Sequence, residues 1–441
     1  METKFSGCAD ACPRTAVHKG GPTRSVPARS IAAFIAAWLG AGFIIPMANA
    51  EPAPPYLALF QQAEMGAPRL AESDANVRAA EGQSVTAAVR PNPSIVLEAE
   101  NIGHTSQSNG PSLAQNTLSV AQPLEIGGKR PARMAAAGAG LAAARAQQTQ
   151  IRVDFAYDLA VAYVVAEVAG RRLDLAMEAV DRAREDERAA RALVSAGREA
   201  DLRAVQANAA TAAAQADLEG ARADAAEALV RLSGLVGIQQ PYSGVEQSLL
   251  DLATMLKPPP LQAPFTSPAV LVAEAARDAA ARRVTVERTR AVPDVTVTLG
   301  ARRFPGENST SVVAGLAVPL PLFNNNSGAI ATAAAELSAA DARLNSARLN
   351  ADADWRSASS QALAADRRVT AANGAEAAAG EAYRLARVGY DAGRTPLVEL
   401  LTARRNLTEA QMRVLDARVA RIRAEAILAR LTGRIPFGDT P

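Results

Sequence analysis

Over most of the chain apolar residues recur every three or four positions, the period of one helix face, but in four short stretches the period drops to two. The stretch "SIVLEAENIG" (Ser94 to Gly103) sets Ile95, Leu97 and Ala99 on one side and Val96, Glu98 and Glu100 on the other. "NTLSVAQPLEIG" (Asn116 to Gly127) sets Leu118, Val120 and Leu124 against Thr117, Ser119 and Ala121. "DVTVTLGARRF" and "SVVAGLAVPL" alternate in the same manner. One apolar and one wet side at a period of two is the pattern of a β-strand, so strands are predicted at about 94–103, 116–125, 294–304 and 311–320. The polar loops "HTSQSNGPSLAQ" and "PGENST" join them as two hairpins.

Helices fill the rest. No proline occurs from Ala132 to Gln240, and good helix formers dominate that span apart from one break at "SAGREADL". Helices are predicted at about 57–90, 132–195 and 199–234, and again at about 269–290, 329–388 and 396–431. The longest reach roughly 90 Å at 1.5 Å per residue. With so few large apolar residues they need neighbours packed alongside in coiled-coil fashion. The order of elements repeats across the proline-rich linker "KPPPLQAPFTSP", giving two structural repeats, 51–256 and 257–441. "AGR" at 196–198 recurs at 392–394, and "RLSG" at 231–234 recurs as "RLTG" at 430–433.

Four strands cannot close a barrel, and open strand edges are not tolerated in lipid. The chain is therefore expected to oligomerise, with three copies supplying twelve strands and the long helices lining a tube that continues the barrel. The proline steps at Gln122–Leu124 and Leu320–Leu322 mark where each repeat leaves a strand wall for a helical wall. Glu98 and Glu100 share the wet face of their strand and are expected in the barrel lumen, as a weak cation preference or simply as solvated side chains.

The first fifty residues read as an export signal. Arg24 and Arg29 precede the apolar core "IAAFIAAWLGAGFII", and "ANA" (Ala48 to Ala50) offers small residues for cleavage. Cleavage would remove Cys8, Cys12 and His18, leaving no cysteine and only His104. Clustered histidine and cysteine, which zinc and cobalt sites want, are then missing, so no metal site and no cofactor are expected. Lys+Arg of 47 against Asp+Glu of 45, with 4% aromatics, gives no basic, aromatic face for nucleic acid. "EIGGKR" lacks the spacing of a phosphate loop, and no nucleophile–base set is evident, so the chain does not read as an enzyme.

"PNPSIVLEAENIG", "LSVAQPLEIGGKRPAR" and "VPLPLFNNNSGAIATAAAEL" resemble the outer-membrane efflux family of which TolC is the type member, and within it the outer-membrane component of cobalt–zinc–cadmium resistance systems. The resemblance covers essentially the whole chain after the leader. It implies a mainly α channel-tunnel with a membrane β part: a homotrimer with a twelve-stranded barrel in outer-membrane lipid and a coiled-coil α-barrel in the periplasm. It implies as partners a periplasmic adaptor (membrane fusion) protein and a proton-driven inner-membrane pump of the RND type, with divalent heavy-metal cations as cargo. Ducts for drug efflux and type I protein secretion share the fold. The helix breaks would lie at the periplasmic tip, with Gly197, Gly389 and Gly393 allowing the reversal and meeting the adaptor. "GYDAGRTPLVELLTA" resembles the family's gating stretch, so the resemblance assigns a closing iris to Tyr390, Arg394 and Glu399, while Thr402 stands where the family has a second acid. The plainer alternative is that Tyr390 and Arg394 cap a helical hairpin and Glu399 is solvated. Aromatic belts at the membrane boundary are sparse, Phe304 and Phe323 being the candidates.

Overall fold

The computed structural model describes residues 51–102, 114–255 and 267–438, all within the unit Ala50–Pro441, so the leader and His104 lie outside the described residues. The order is α1 (Tyr56–Gly66), α2 (Pro68–Ala88), β1 (Ser94–Glu100), β2 (Gln115–Leu124), α3 (Lys129–Ser195) and α4 (Asp201–Val236). Then come α5 (Pro268–Arg290), β3 (Val295–Phe304), β4 (Ser309–Ala317), α6 (Ser327–Asp391) and α7 (Leu397–Leu431).

Some boundaries differ from the pattern-based ones. The expected helix at 57–90 is two, because Pro68 has no N–H to continue α1 and Ala67 before it is extended (φ −72°, ψ 122°). α3 starts three residues early at Lys129, since Pro131 sits in the first turn, where no N–H is needed. β4 ends at Ala317, short of Pro319.

The helices stand in four columns. α3 packs along α2 and α4 and along α5 and α7, while α6 packs along α5 and α7. α4 and α2 meet end to end: a methyl on Gly237 would lie 2.8 Å from the Gly66 carbonyl and 3.4 Å from Pro68. α7 and α5 meet in the same way at Gly433 and Pro268. Whole helices (α3, α6) therefore alternate with broken ones (α4/α2, α7/α5). α3, flanked on two sides, buries nineteen residues, whereas α6 of nearly equal length buries nine. α6 is thus one edge of the layer, and the α2/α4 column is the other.

The few aromatic residues concentrate where the columns join. Tyr56, Phe60, Phe155, Tyr163 and Phe437 form one cluster, with Tyr56 edge-on to Tyr163 at 6.4 Å and its hydroxyl donating to Ala156 O at 2.8 Å. The crossing between α4 and α5 is tied down here by buried Glu167, which accepts from Leu249 N (2.8 Å), Leu250 N (3.2 Å) and Ser248 Oγ. Burial pushes its carboxyl above the usual glutamate range, against the pull of those three donors.

The strands form one antiparallel meander, β1-β2-β3-β4, with β1 and β4 at the edges.

Candidate functional site

The register sorts the sheet into two chemically distinct faces. Ile95 lies opposite Val120 and Leu97 opposite Leu118. Val120 lies opposite Leu299, and Val297 opposite Leu316. With Val312, these eight side chains make one apolar face that is 41–80% exposed, since no other element among the described residues covers it. A patch of that extent needs an apolar environment outside the chain. The opposite face carries Glu98, Glu100, Gln115, Thr117, Ser119, Thr298 and Arg302. Arg302 spans it, donating through Nε to Thr117 Oγ1 (2.9 Å) and through Nη1 to Gln115 (3.1 Å), with Glu100 at 3.6 Å. Glu100 is therefore charge-compensated, while Glu98 is exposed with no ion pair among the described residues. Phe304 falls in register with this polar face, opposite Ser309, and cannot serve a belt on the apolar one. Phe323 is fully exposed.

Where the strands become helices, both repeats turn through a left-handed residue, Gly128 (φ 78°) before α3 and Asn326 (φ 62°) before α6. In the first repeat Arg133 gathers the joint, donating to Ala87 O (3.1 Å), Val89 O (3.0 Å) and both oxygens of Glu125. That pairing holds Glu125 below the usual carboxylate range.

At the far end of the long helices lie the two reversals. Two residues past the end of each long helix the chain turns through a left-handed glycine, Gly197 (φ 65°) after α3 and Gly393 (φ 70°) after α6, each followed by a 6→1 bond, Arg198 N to Leu193 O (2.9 Å) and Arg394 N to Gly389 O (2.8 Å). Gly389 does not make the reversal. It is helical, and its missing side chain leaves room for Thr395, whose Oγ1 a methyl there would strike at 2.1 Å. Tyr390 packs among Ala190, Ala207, Leu397 and Leu400, 4% exposed, and its hydroxyl has no hydrogen-bond partner among the described residues. Burial first, then the nearby carboxylates of Glu199, Asp186 and Asp391, raise its pKa. Arg394 and Glu399 are exposed and have no side-chain bond to Tyr390, so the structure does not bring the three together within one chain.

The sequence pattern had passed over a neighbouring group. Asp186 of α3, 2% exposed at its side chain, accepts from Arg404 of α7 at 2.8 Å and Arg387 of α6 at 3.5 Å. Arg387 also lies near Asp391 (3.4 Å) and Glu185 (3.7 Å). Burial pushes the Asp186 carboxyl upward and the two guanidiniums pull it back. The group ties the first repeat to the second beside the reversals. A signal for it exists: Ala176, Val180, Ala183, Glu187 and Ala190 follow a four-three spacing, which sets Asp186 and Glu187 of "REDER" at the buried stripe and leaves Glu185 exposed.

A sheet with one naked apolar face, set at one end of helices of about 100 Å, defines the protomer of a channel-tunnel. Solved structures share this fold. VceC of Vibrio cholerae superposes with a TM-score of 0.70 over 86% of this chain and 96% of its own, at 20% identity. CusC superposes with a TM-score of 0.73 over 86% and 92%, at 17% identity. The outer membrane efflux protein family matches residues 59–238 and 262–434. The chain belongs to that family. Among its relatives, the nickel-cobalt-cadmium resistance protein NccC of Alcaligenes xylosoxydans xylosoxydans is 44% identical over 89% of each chain. The nickel and cobalt resistance protein CnrC of Cupriavidus metallidurans is 45% identical over 90% of this chain and 94% of its own. The cobalt-zinc-cadmium resistance protein CzcC of the same organism is 30% identical over 80% and 84%.

Proposed function

We propose that the chain is the outer-membrane duct of a tripartite pump that expels divalent heavy metals of the nickel, cobalt, cadmium and zinc class. The supporting observation is the sheet with an exposed apolar face on one side and a polar, water-compatible face on the other. Family membership and the resistance named for NccC, CnrC and CzcC favour metal over other cargo. Three copies would close twelve strands in outer-membrane lipid, after export on a cleaved leader, and the helix columns would form the periplasmic tube. No group of three or more histidine, cysteine or acidic side chains able to hold a metal is found among the described residues. In this reading cargo choice rests with the RND-type pump and its periplasmic adaptor, and the duct is passive.

The tip is the proposed gate. Tyr390 and the Asp186–Arg387–Arg404 group hold the helix ends together within a copy, and Arg394 and Glu399 face outward, free to meet neighbouring copies or the adaptor at Gly197 and Gly393. Glu98 lines the barrel lumen as a solvated acid.

Growth of a deletion strain across divalent metals and a panel of hydrophobic drugs tests the assignment. Sensitivity to nickel, cobalt, cadmium or zinc, restored by the gene, is the expected result. Drug sensitivity without a metal effect would overturn the cargo while leaving the duct.

A further inference from the structure

The apolar face of the sheet ends in a polar row. The register sets Asn116 opposite Ala99, Arg303 opposite Asn116 and Thr310 opposite Arg303. This row lies on the same face as Leu97, Leu118, Ala301 and Val312, two residues farther on, or roughly 7 Å along the strands. It sits at the hairpin end, where β3 and β4 close one residue later at Phe304 and Ser309. Among the described residues Arg303 is the one charged side chain on this face of the paired strands.

Two adjacent arginines thus meet opposite fates. Arg302 is held on the polar face by Thr117, Gln115 and Glu100. Arg303 is exposed and makes no hydrogen bond or ion pair among the described residues. Asn116 and Thr310, on either side of it, are also exposed and without a side-chain hydrogen bond among the described residues. Glu307, the nearest acid in sequence, accepts from Ser309 Oγ at 3.4 Å, and Ser309 belongs to the polar face opposite Phe304. The row therefore offers a guanidinium, an amide and a hydroxyl, and no acid.

We infer that Asn116, Arg303 and Thr310 bind a phosphate group carried by the lipid around the sheet. A guanidinium at the rim of an apolar band extends its charged end out of the acyl chains and into the headgroup layer. Its planar fork matches phosphate oxygens two at a time. Opposed positions on neighbouring strands have Cβ atoms about 4.5–5.5 Å apart, so the Asn116 amide and the Thr310 hydroxyl can donate to the same group. The helices leave from the other end of the sheet. In the duct reading, on which this inference rests, the row then lies at the outer surface, and the ligand is a phosphorylated glycolipid of the outer leaflet.

The opposite end of the same face behaves differently. Gln122, in register with Val297, already donates to Pro91 O (3.0 Å) and Pro123 O (2.9 Å). Free donors on this face are thus gathered at the hairpin end. They stand where an aromatic belt is missing, Phe304 having turned to the polar face. Arg303 and its two neighbours take over the task of fixing the height of the sheet in the lipid.

The test titrates the purified full-length protein in non-ionic detergent with diphosphoryl lipid A, with the same lipid stripped of both phosphates, and with inorganic phosphate. Native mass spectrometry reads the bound lipid, and the melting temperature reads the stabilisation. The parent chain is expected to retain the phosphorylated lipid about tenfold better than the stripped one. Arg303→Gln is expected to remove that preference, and Asn116→Ala with Thr310→Ala, which keeps the charge, to reduce it severalfold. Arg423→Gln, at an exposed arginine of α7, is the control expected to leave it unchanged. Equal retention of both lipids by the parent chain, or a preference that survives Arg303→Gln, would overturn the site and leave the duct standing. Inorganic phosphate that stabilises the parent chain as much as the phosphorylated lipid would overturn the lipid as its source. Recovery of the parent chain from cells in the soluble fraction would overturn both the site and the duct.

Discussion

Asp186 is the residue on which most of the tip converges, and its burial sets what its loss should do. Removing one member of a buried ion pair leaves the other charged and unsolvated, typically at about 3–5 kcal/mol. Asp186→Ala strands Arg404, whose side chain is 13% exposed, and is expected to lower the melting temperature in detergent markedly. Asp186→Leu combined with Arg404→Leu should recover most of that loss, whereas an equal fall in single and double variants would show that the pair is not coupled. Glu125 gives a pH signature. Its pKa is depressed by Arg133, so its contribution is present above the ordinary glutamate range and is lost as pH falls through the depressed value. The stability gap between the native chain and Glu125→Gln should be constant near neutrality and close on acidification. A gap that widens in acid would contradict the pairing. Tyr390 was legible in the sequence through its motif, but its burial against Ala190 and Ala207 of the other repeat was not, because no local pattern encodes which distant helix a side chain meets. Asp186 was legible only as part of a charged run; its stripe position is local, but its two arginines lie more than two hundred residues away.

At the scale of elements, two glycines on the paired strands make a controlled comparison. A methyl on Gly300 would lie 2.5 Å from both the Leu118 carbonyl and Ser119 Cβ, so β2 and β3 would have to part. At Gly315 the nearest heavy atom is 3.8 Å away, an ordinary contact. Gly300→Ala is therefore expected to lower the melting temperature of the purified protein in detergent, and Gly315→Ala to leave it unchanged; equal tolerance of both would contradict the strand spacing. Strand and long-helix identities were readable because period two and period 3.6 are properties of consecutive residues. The split of the first helix was also local, written in Pro68. The end-to-end stacking of α4 on α2 was not, since it depends on Gly237 meeting Gly66 across the fold.

For the whole molecule, the uneven burial of α3 and α6 and the two open sheet edges make a single chain an incomplete object. One copy leaves an apolar strand face, an uncovered helix column and two unpaired strand edges; the proposed ring of copies would pair the edges and cover the column, and surrounding lipid would cover the apolar face. The proposed ring is a water-filled duct in which each copy supplies one-third of the wall and the helix tip supplies the gate. Conductance of the purified oligomer in planar lipid bilayers tests it most directly. Small, discrete current steps are expected from the native protein, and larger or longer openings from Asp186→Ala with Tyr390→Ala, which removes both the buried ion pair and the buried ring at the tip. Assembled oligomers that insert into the bilayer yet carry no current in either form would contradict it.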